Sequence, residues 1–279
     1  MSVTITLDVE DHSPHGADPR LEKATREVFD FLAEEGVRAT VFFVGEVACR
    51  LPRLVEDAVA AGHEVALHGW VHVPLTRLEP TTFRDHLERG KDAIASAVGV
   101  EPTGFRAPTC SLVPSTLWAV DVLAESGFEW SSSVLPASNP LFGWPGAPRR
   151  PFRWRSGLVE IPAPVAGVGR LALPILGGVY FRVLPSLVVR AALDRLPSTP
   201  VEFLYCHPYD FDVEEPFWVV PEVGRFGSRL LWYGRRRMFE KVRHLVRRRG
   251  AAPPLGERVA LLDAAELEAF PDATDCERR

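Results

Sequence analysis

The stretch Ser2–His12, SVTITLDVEDH, changes character at its middle. Ser2–Leu7 is β-branched and apolar and reads as a strand. Straight after it come three acids in four residues, Asp8, Glu10 and Asp11, and then His12. Carboxylates crowded at a strand end are costly unless they bind cations or stay in water. Working outward, Leu21, Ala24, Val28, Phe31 and Leu32 recur at helical spacing, with Gly36 as the stop. Val37–Val44 is nearly all apolar, as a strand covered on both faces should be. A second helical stripe through Leu51, Leu54, Val55, Ala58 and Val59 closes at Gly62, and His63–Leu67 follows as a third strand. Thr82 and Asp85 resemble a capping box opening a further helix. Gly104–Arg106, Phe128–Ser132, Leu158–Ile161 and Val201–Tyr205 read as strands, and Ser115–Ser126 and Pro185–Leu196 as helices. Strands alternating with helices imply an α/β fold with a mainly parallel sheet, and at 279 residues the natural closure is a distorted (β/α) barrel of about seven strands. Chemistry in such barrels sits where strands end and loops begin.

Four strand ends carry polar groups. The first is Asp8–His12. The second is Leu67-His68-Gly69-Trp70-Val71-His72, whose histidines stand at i and i+4; on a helical turn that spacing brings both rings to one side and suits a metal with one open position. The third is Phe105-Arg106-Ala107-Pro108-Thr109, where Arg106 could orient a carboxylate. The fourth is Cys206-His207-Pro208-Tyr209-Asp210-Phe211-Asp212, where a protonatable His207 could serve as a general acid.

In this order the four stations resemble the polysaccharide deacetylases, the NodB-homology group or carbohydrate esterase family four. The resemblance runs from about Val3 to Asp212 and is carried by TITLDVED, RATVFFVG, AGHEVALHGWVH, GFRAPT and FLYCHPYDFD. It looks closest to a cytoplasmic, exopolysaccharide-associated branch, with Gly177–Arg182 as a further matching stretch. The resemblance implies the NodB-type distorted barrel and a metal-assisted removal of an N-acetyl group from a sugar. It implies Asp8 as the base that takes a proton from water on the metal, His207 as the acid that protonates the leaving amine, and Arg106 as the group that orients the base. It implies His68 and His72 as ligands of a divalent ion, zinc or alternatively cobalt, and places Pro108, Cys110 with a backbone N–H near it, and Trp70 on the substrate and oxyanion side.

The chain departs from the pattern at three places. Two adjacent aspartates are usual in the first motif, the second a metal ligand; Val9 stands there, which leaves the third ligand open between Glu10 and Asp11. Cys110 replaces the usual Tyr. Ser131 stands where the branch has an aspartate, so His207 would turn to Asp210 or Asp212 for support. A glycan-binding relative without turnover and a metal-free amidohydrolase acting on a small molecule are the alternative readings.

Among the other residues, His63 is read as structural, His12 and His15 as loop residues beside the acids, and Trp144 and Trp154 as either core or sugar-stacking. Residues 1–215 hold the barrel, and 216–279 read as an extension packed on the same domain, with one helix over Gly227–Arg249. The runs Arg235–Arg237 and Arg247–Arg249 there suggest a solvated face or peripheral contact with anionic lipid. Hydrophobic residues at 46%, charged residues at 25% and a net charge of −5 fit a globular chain and argue against a dedicated nucleic-acid binder. The four cysteines, Cys49, Cys110, Cys206 and Cys276, are too dispersed for a disulfide framework or a thiolate zinc site. Without an apolar run of membrane length or a signal-peptide pattern at Met1–His12, the expected location is cytoplasmic. The expected partner is an N-acetylated glycan or lipid-linked sugar.

Overall fold

The computed structural model describes residues 2–12, 17–139, 141–167, 172–194, 201–221, 223–263 and 266–270. His15 and Cys276 lie outside the described residues. The strands are β1 (Val3–Val9), β2 (Ala39–Phe43), β3 (Glu64–Leu67), β4 (Gly104–Phe105), β5 (Trp130–Ser131), β6 (Phe152–Trp154), β7 (Val159–Glu160), β8 (Glu202–Cys206) and β9 (Glu268–Phe270). They form one sheet in the order β8-β1-β2-β3-β4-β5-β7-β6-β9. From β8 to β7 every neighbouring pair is parallel, which gives the seven parallel strands expected. β6 turns back antiparallel on β7, and β9 adds beside it. β6 and β9 were not read from the sequence, because three-residue strands carry too little pattern to stand out.

The helices are α1 (Leu21–Glu34), α2 (Gly45–Arg50), α3 (Pro52–Ala60), α4 (Pro80–Val98), α5 (Trp118–Glu125), α6 (Gly178–Val183), α7 (Ser186–Leu193), α8 (Gly224–Trp232), α9 (Met238–Arg249) and α10 (Leu255–Ala260). Among the described residues no helix is long and apolar enough to cross a membrane. Two sequence expectations are corrected. α4 starts at Pro80 with Glu79 as its cap and no side-chain capping bond, so Thr82 and Asp85 lie inside the first turns. The single helix expected over Gly227–Arg249 is two, because the chain turns at Gly234 with φ of 81°.

Period two along the strands sorts the side chains. Val3, Ile5, Leu7 and Val9 join Ala39, Val41 and Phe43 and the buried stripe of α1 in one apolar cluster. Phe42, Ala66, Trp130 and Phe203 belong to a second cluster on the concave side. Thr4, Thr6 and Asp8 share that side with them. The curl of the sheet is visible in Arg106, which leaves the end of β4, lies over the rings of Phe42 (4.0 Å) and Phe203 (5.1 Å), and reaches β1.

The end of the barrel opposite the loops that carry the polar stations is stoppered by α10. Leu255 N–H donates to Thr40 Oγ1 (2.7 Å), Gly256 N–H to Glu64 Oε2 (3.0 Å), and Arg258 Nη1 to Thr4 Oγ1 (3.2 Å). Trp144 and Trp154 pack with Phe152 and Phe270 in the core, which settles their role as apolar filling.

His63 fixes the entry to β2. Its Nδ1 accepts the Ala39 N–H at 3.1 Å, so the ring must be neutral there, and burial followed by the charge of Arg38 pushes it down to about 4. Unfolded His63 takes its proton near 6.5, the folded ring resists until about 4, and stability is lost as pH falls through that window. The loss from this group is expected to be of order 2 kcal/mol. Denaturant titrations at pH 7 and pH 4.5 check this: His63→Gln, which keeps an acceptor for Ala39, should show a smaller acid destabilisation than the native chain. An equal slope in both would remove His63 from the account.

Candidate active site

All four polar stations meet at the C-terminal rim of the parallel strands. Asp8 is the last inward-facing residue of β1, and Glu10, two residues on, continues the same face, while Val9 turns into the outer core. Asp8 Oδ1 accepts from Arg106 Nη1 at 2.6 Å, and both groups are buried. The same Nη1 donates to Thr6 Oγ1 (2.8 Å), while Arg106 Nη2 donates to Ser132 Oγ (3.2 Å). The guanidinium is therefore fixed on three sides and holds the Asp8 carboxylate in one orientation.

Glu10 Oε2 lies 2.6 Å from His72 Nε2 and 3.3 Å from His68 Nε2. The three ligand atoms of Glu10, His68 and His72 all lie within 4.8 Å of one another. His68 Nδ1–H donates to the Arg106 carbonyl at 2.8 Å, which leaves Nε2 as the lone-pair nitrogen facing Glu10. Glu10 Oε2 is buried and receives no hydrogen bond of ordinary geometry. One carboxylate and two imidazoles in that arrangement fit a divalent ion of the zinc type with a position left open. Burial alone would raise the Glu10 carboxyl, but His72, His207 and His68 outweigh it and hold it well below the usual carboxylate range.

The expected geometry of the histidine pair is corrected. Residues 69–72 are not helical; Gly69, at φ of 77°, swings the loop back, and the two rings approach to 5.3 Å between centroids. Asp11 stands apart from the cluster: its carboxylate takes Arg50 Nη2 at 2.8 Å and the Asp18 N–H at 2.8 Å.

His207 follows β8, with Nε2 3.9 Å from Glu10 Oε1 and its ring stacked on Tyr209 at 4.6 Å. Asp210 Oδ2 accepts both the His207 backbone N–H (2.9 Å) and Nδ1–H (3.0 Å) across a 3₁₀ turn, Pro208–Asp210. Asp210 Oδ1 faces Arg182 Nε at 3.0 Å, with both side chains fully enclosed. Burial opposes the charged His207 ring, yet Glu10, Asp210 and Asp8 prevail and push it up to about 9. Of the two aspartates considered, Asp212 is engaged elsewhere, by Arg20 at 2.5 Å. Ser131 donates to Ser133 Oγ (2.7 Å), which in turn accepts the Ala107 N–H, so this serine braces the Arg106 loop and does not reach His207.

The sequence reading missed Arg182. Its signal was present in Gly177–Arg182: a Cβ at Gly178 would collide with Asp210 Oδ2, so glycine is required for α6 to bring Arg182 against that carboxylate.

The three residues expected on the substrate side are each engaged within the fold. The Cys110 N–H itself donates to the Ala107 carbonyl at 3.0 Å, so an oxyanion donor near it would have to be a neighbouring N–H. Its thiol is pushed up to about 12, first by desolvation, which makes it inert as a nucleophile. Trp70 is used by the fold: the Arg89 guanidinium covers its ring at 4.1 Å, and Gly45 packs so close that a Cβ there would meet it at 2.6 Å. Pro108 is buried at the start of another 3₁₀ turn, Pro108–Cys110, in which Thr109 and Cys110 both adopt positive φ, 58° and 52°. His12 stands at the rim, paired with Glu215 at 2.7 Å and stacked on Tyr209 at 4.0 Å.

With that geometry in view, comparison with known proteins is specific. The sequence profile of the family described as "Polysaccharide deacetylase" matches residues 2–128, and that of a "Domain of unknown function (DUF3473)" matches 132–250. A chitooligosaccharide deacetylase of Bradyrhizobium sp. (strain ANU 289) is 38% identical over 102 residues, which is 37% of this chain and 44% of that protein. The chain thus matches under half the length of this curated relative. Among solved structures, a candidate polysaccharide deacetylase from Mycobacterium smegmatis superposes with a TM-score of 0.65 at 22% identity, covering 97% of this chain and 92% of the other. A family 4 carbohydrate esterase from Streptomyces lividans, solved with acetate, gives 0.51 at 18% identity, with 97% of both chains covered. These two likenesses establish the shared fold.

Proposed function

Through residues 2–128 the chain belongs to the polysaccharide deacetylase family, and from that premise we propose that it hydrolyses the N-acetyl group of an N-acetylhexosamine in a polysaccharide, oligosaccharide or lipid-linked glycan precursor, releasing acetate. The observation that carries this reading is the convergence of Glu10, His68 and His72 beside the Asp8–Arg106 pair and the His207–Asp210 pair.

Glu10, His68 and His72 would hold the divalent ion, with zinc favoured by the donor set and Glu10 preferred to Asp11 as the carboxylate. Bound there, such an ion supplies Lewis acidity toward the amide carbonyl and toward the attacking water. The chain's own groups supply the proton transfers. Asp8, aimed by Arg106, accepts a proton from the water. His207 Nε2 gives a proton to the amine nitrogen as the carbon–nitrogen bond breaks, because an amine anion does not leave. Asp210 at Nδ1 fixes the ring so that Nε2 faces the reacting atoms and stabilises the charged imidazolium.

The test is acetate release from N-acetylglucosamine oligomers. Release should vanish with a chelator and return with zinc or cobalt. Glu10→Gln should weaken zinc binding by about 100-fold or more, and Asp11→Asn should leave it near the native value. A zinc-loaded chain that releases no acetate from any N-acetylhexosamine substrate overturns the activity; normal zinc content in Glu10→Gln overturns the ligand assignment alone.

A further inference from the structure

We propose that α8 and the basic ground around it form a docking face for an anionic phospholipid bilayer. This goes beyond the hydrolytic reading and does not depend on it.

α8 carries an apolar stripe on its outer face. Val223, Phe226, Leu230 and Tyr233 fall at i, i+3, i+7 and i+10, a single apolar stripe of the kind that ordinarily turns to the core. Here the stripe faces solvent, with Phe226 77% exposed and Tyr233 59%. The side of the helix turned to the protein begins small and polar and ends on half-buried Leu231 and Trp232: Ser228 is buried, donates to the Gly224 carbonyl (2.6 Å) and accepts the Val220 N–H (2.8 Å), and Trp232 packs on the Trp218 ring. Phe217 and Val219, just before the helix, are exposed as well. Large exposed apolar side chains in a soluble chain are normally scattered, and a cluster marks a contact surface.

Charge identifies the partner. Arg225 and Arg229 on α8 and Arg236 and Arg237 after it are exposed and form no ion pair among the described residues. The other arginines of this region are tied down: Arg243 and Arg247 by Glu35, Arg248 by Asp194, Arg249 by Glu202 and Arg235 by Glu215. The sequence expectation placed lipid contact on both arginine runs. The structure takes Arg247–Arg249 out of it and moves the unpaired charge to the flanks of the apolar stripe. A groove of about 1000 Å³ continues this ground between Leu184–Ser186 and Tyr233–Arg237.

An apolar stripe flanked by unpaired arginines, on a chain whose net charge is −5, matches the headgroup and acyl boundary of an acidic membrane. A soluble polyanion would engage the arginines and leave Phe226 in water; an apolar protein partner would bury the stripe and strand the arginines. The face also adjoins the candidate site. Trp232, at the end of α8, lies 5.2 Å from the His12 ring, which stacks on Tyr209 beside His207. A chain lying on α8 would therefore keep its active-site rim near the bilayer.

The experiment is co-sedimentation of the full chain with vesicles of phosphatidylcholine alone or of phosphatidylcholine and phosphatidylglycerol in equal parts. The chain should sediment with the acidic vesicles only, and less so as salt is raised. Two double variants, Phe226→Ser with Leu230→Ser and Arg236→Glu with Arg237→Glu, should each lower partitioning by about 10-fold or more while their thermal melts stay native. Failure of the native chain to sediment overturns the proposal, as does native partitioning by either variant. Binding to inorganic polyphosphate without vesicle binding would assign the arginines to a soluble anion. A concentration-dependent dimer abolished by Phe226→Ser, again without vesicle binding, would assign the stripe to a second copy of the chain.

Discussion

Asp8→Asn is expected to lower acetate release by about 10²–10⁴-fold while the chain retains its full complement of zinc. The prediction rests on the division of labour at the end of β1. Asp8 and Glu10 share one face of the strand, but only Glu10 lies with the imidazoles of His68 and His72, whereas Asp8 is held by Arg106. Asparagine has the same shape and can still accept from Arg106 Nη1 through its amide oxygen. It cannot accept a proton. The buried guanidinium would lose its counter-charge but keep Thr6 and Ser132 as acceptors, so some stability is lost without a missing side chain. Turnover at saturating substrate and metal content on the same preparation decide the matter. If zinc disappears together with activity, Asp8 is a ligand and the base must be sought elsewhere.

The split between Asp8 and Glu10 also shows how far the sequence could be read. The alternation of β1 was present in Thr4, Thr6 and Asp8 against Val3, Ile5 and Leu7. Carried one step past the strand, it puts Glu10 on the side of Asp8 and Val9 on the side of the core, which favours Glu10 over Asp11. The family pattern leaves the choice between the two acids open because Val9 stands where the second aspartate is usual. The parallel sheet was legible for a related reason: β1 and β2 are buried on both faces, and continuous apolar runs of that length have few other uses. The two-residue strands β4, β5 and β7 were found only because polar motifs or neighbouring apolar residues marked them. The i, i+4 spacing of His68 and His72 predicts a helical turn, whereas a left-handed glycine brings the two rings together. What could not be read were contacts between irregular segments. Arg182 meets Asp210 across 28 positions of chain, and no local period announces that two such loops touch. Likewise α10 reaches Thr40 and Glu64 from the far end of the sequence, through backbone N–H groups that any residue would offer.

The Arg182–Asp210–His207 line yields the second large effect. Asp210→Asn is expected to reduce turnover of the N-acetyl substrate by about 100-fold and to leave zinc content unchanged. Asp210 accepts on one side from His207 N–H and Nδ1–H and on the other faces the Arg182 guanidinium, all of them donors. An amide placed there must turn its NH₂ toward one of these partners, so one contact becomes donor against donor. The enclosed Arg182 would also lose its anion, and removing one partner of a buried pair costs about 3–5 kcal/mol, so a lower unfolding midpoint is expected as well. A purely structural defect is separated from a loss of acid catalysis by the leaving group. An amine needs a proton as it departs, whereas the phenolate of an aryl acetate leaves without one. If Asp210 acts by holding His207 in its proton-donating orientation, Asp210→Asn should lose its 100-fold on the amide and only a small factor on the aryl ester, whereas Asp8→Asn should lose heavily on both. Equal losses on the two substrates would mean that Asp210 shapes the site as a whole, and that its bond to His207 Nδ1 has no particular part in delivering the proton.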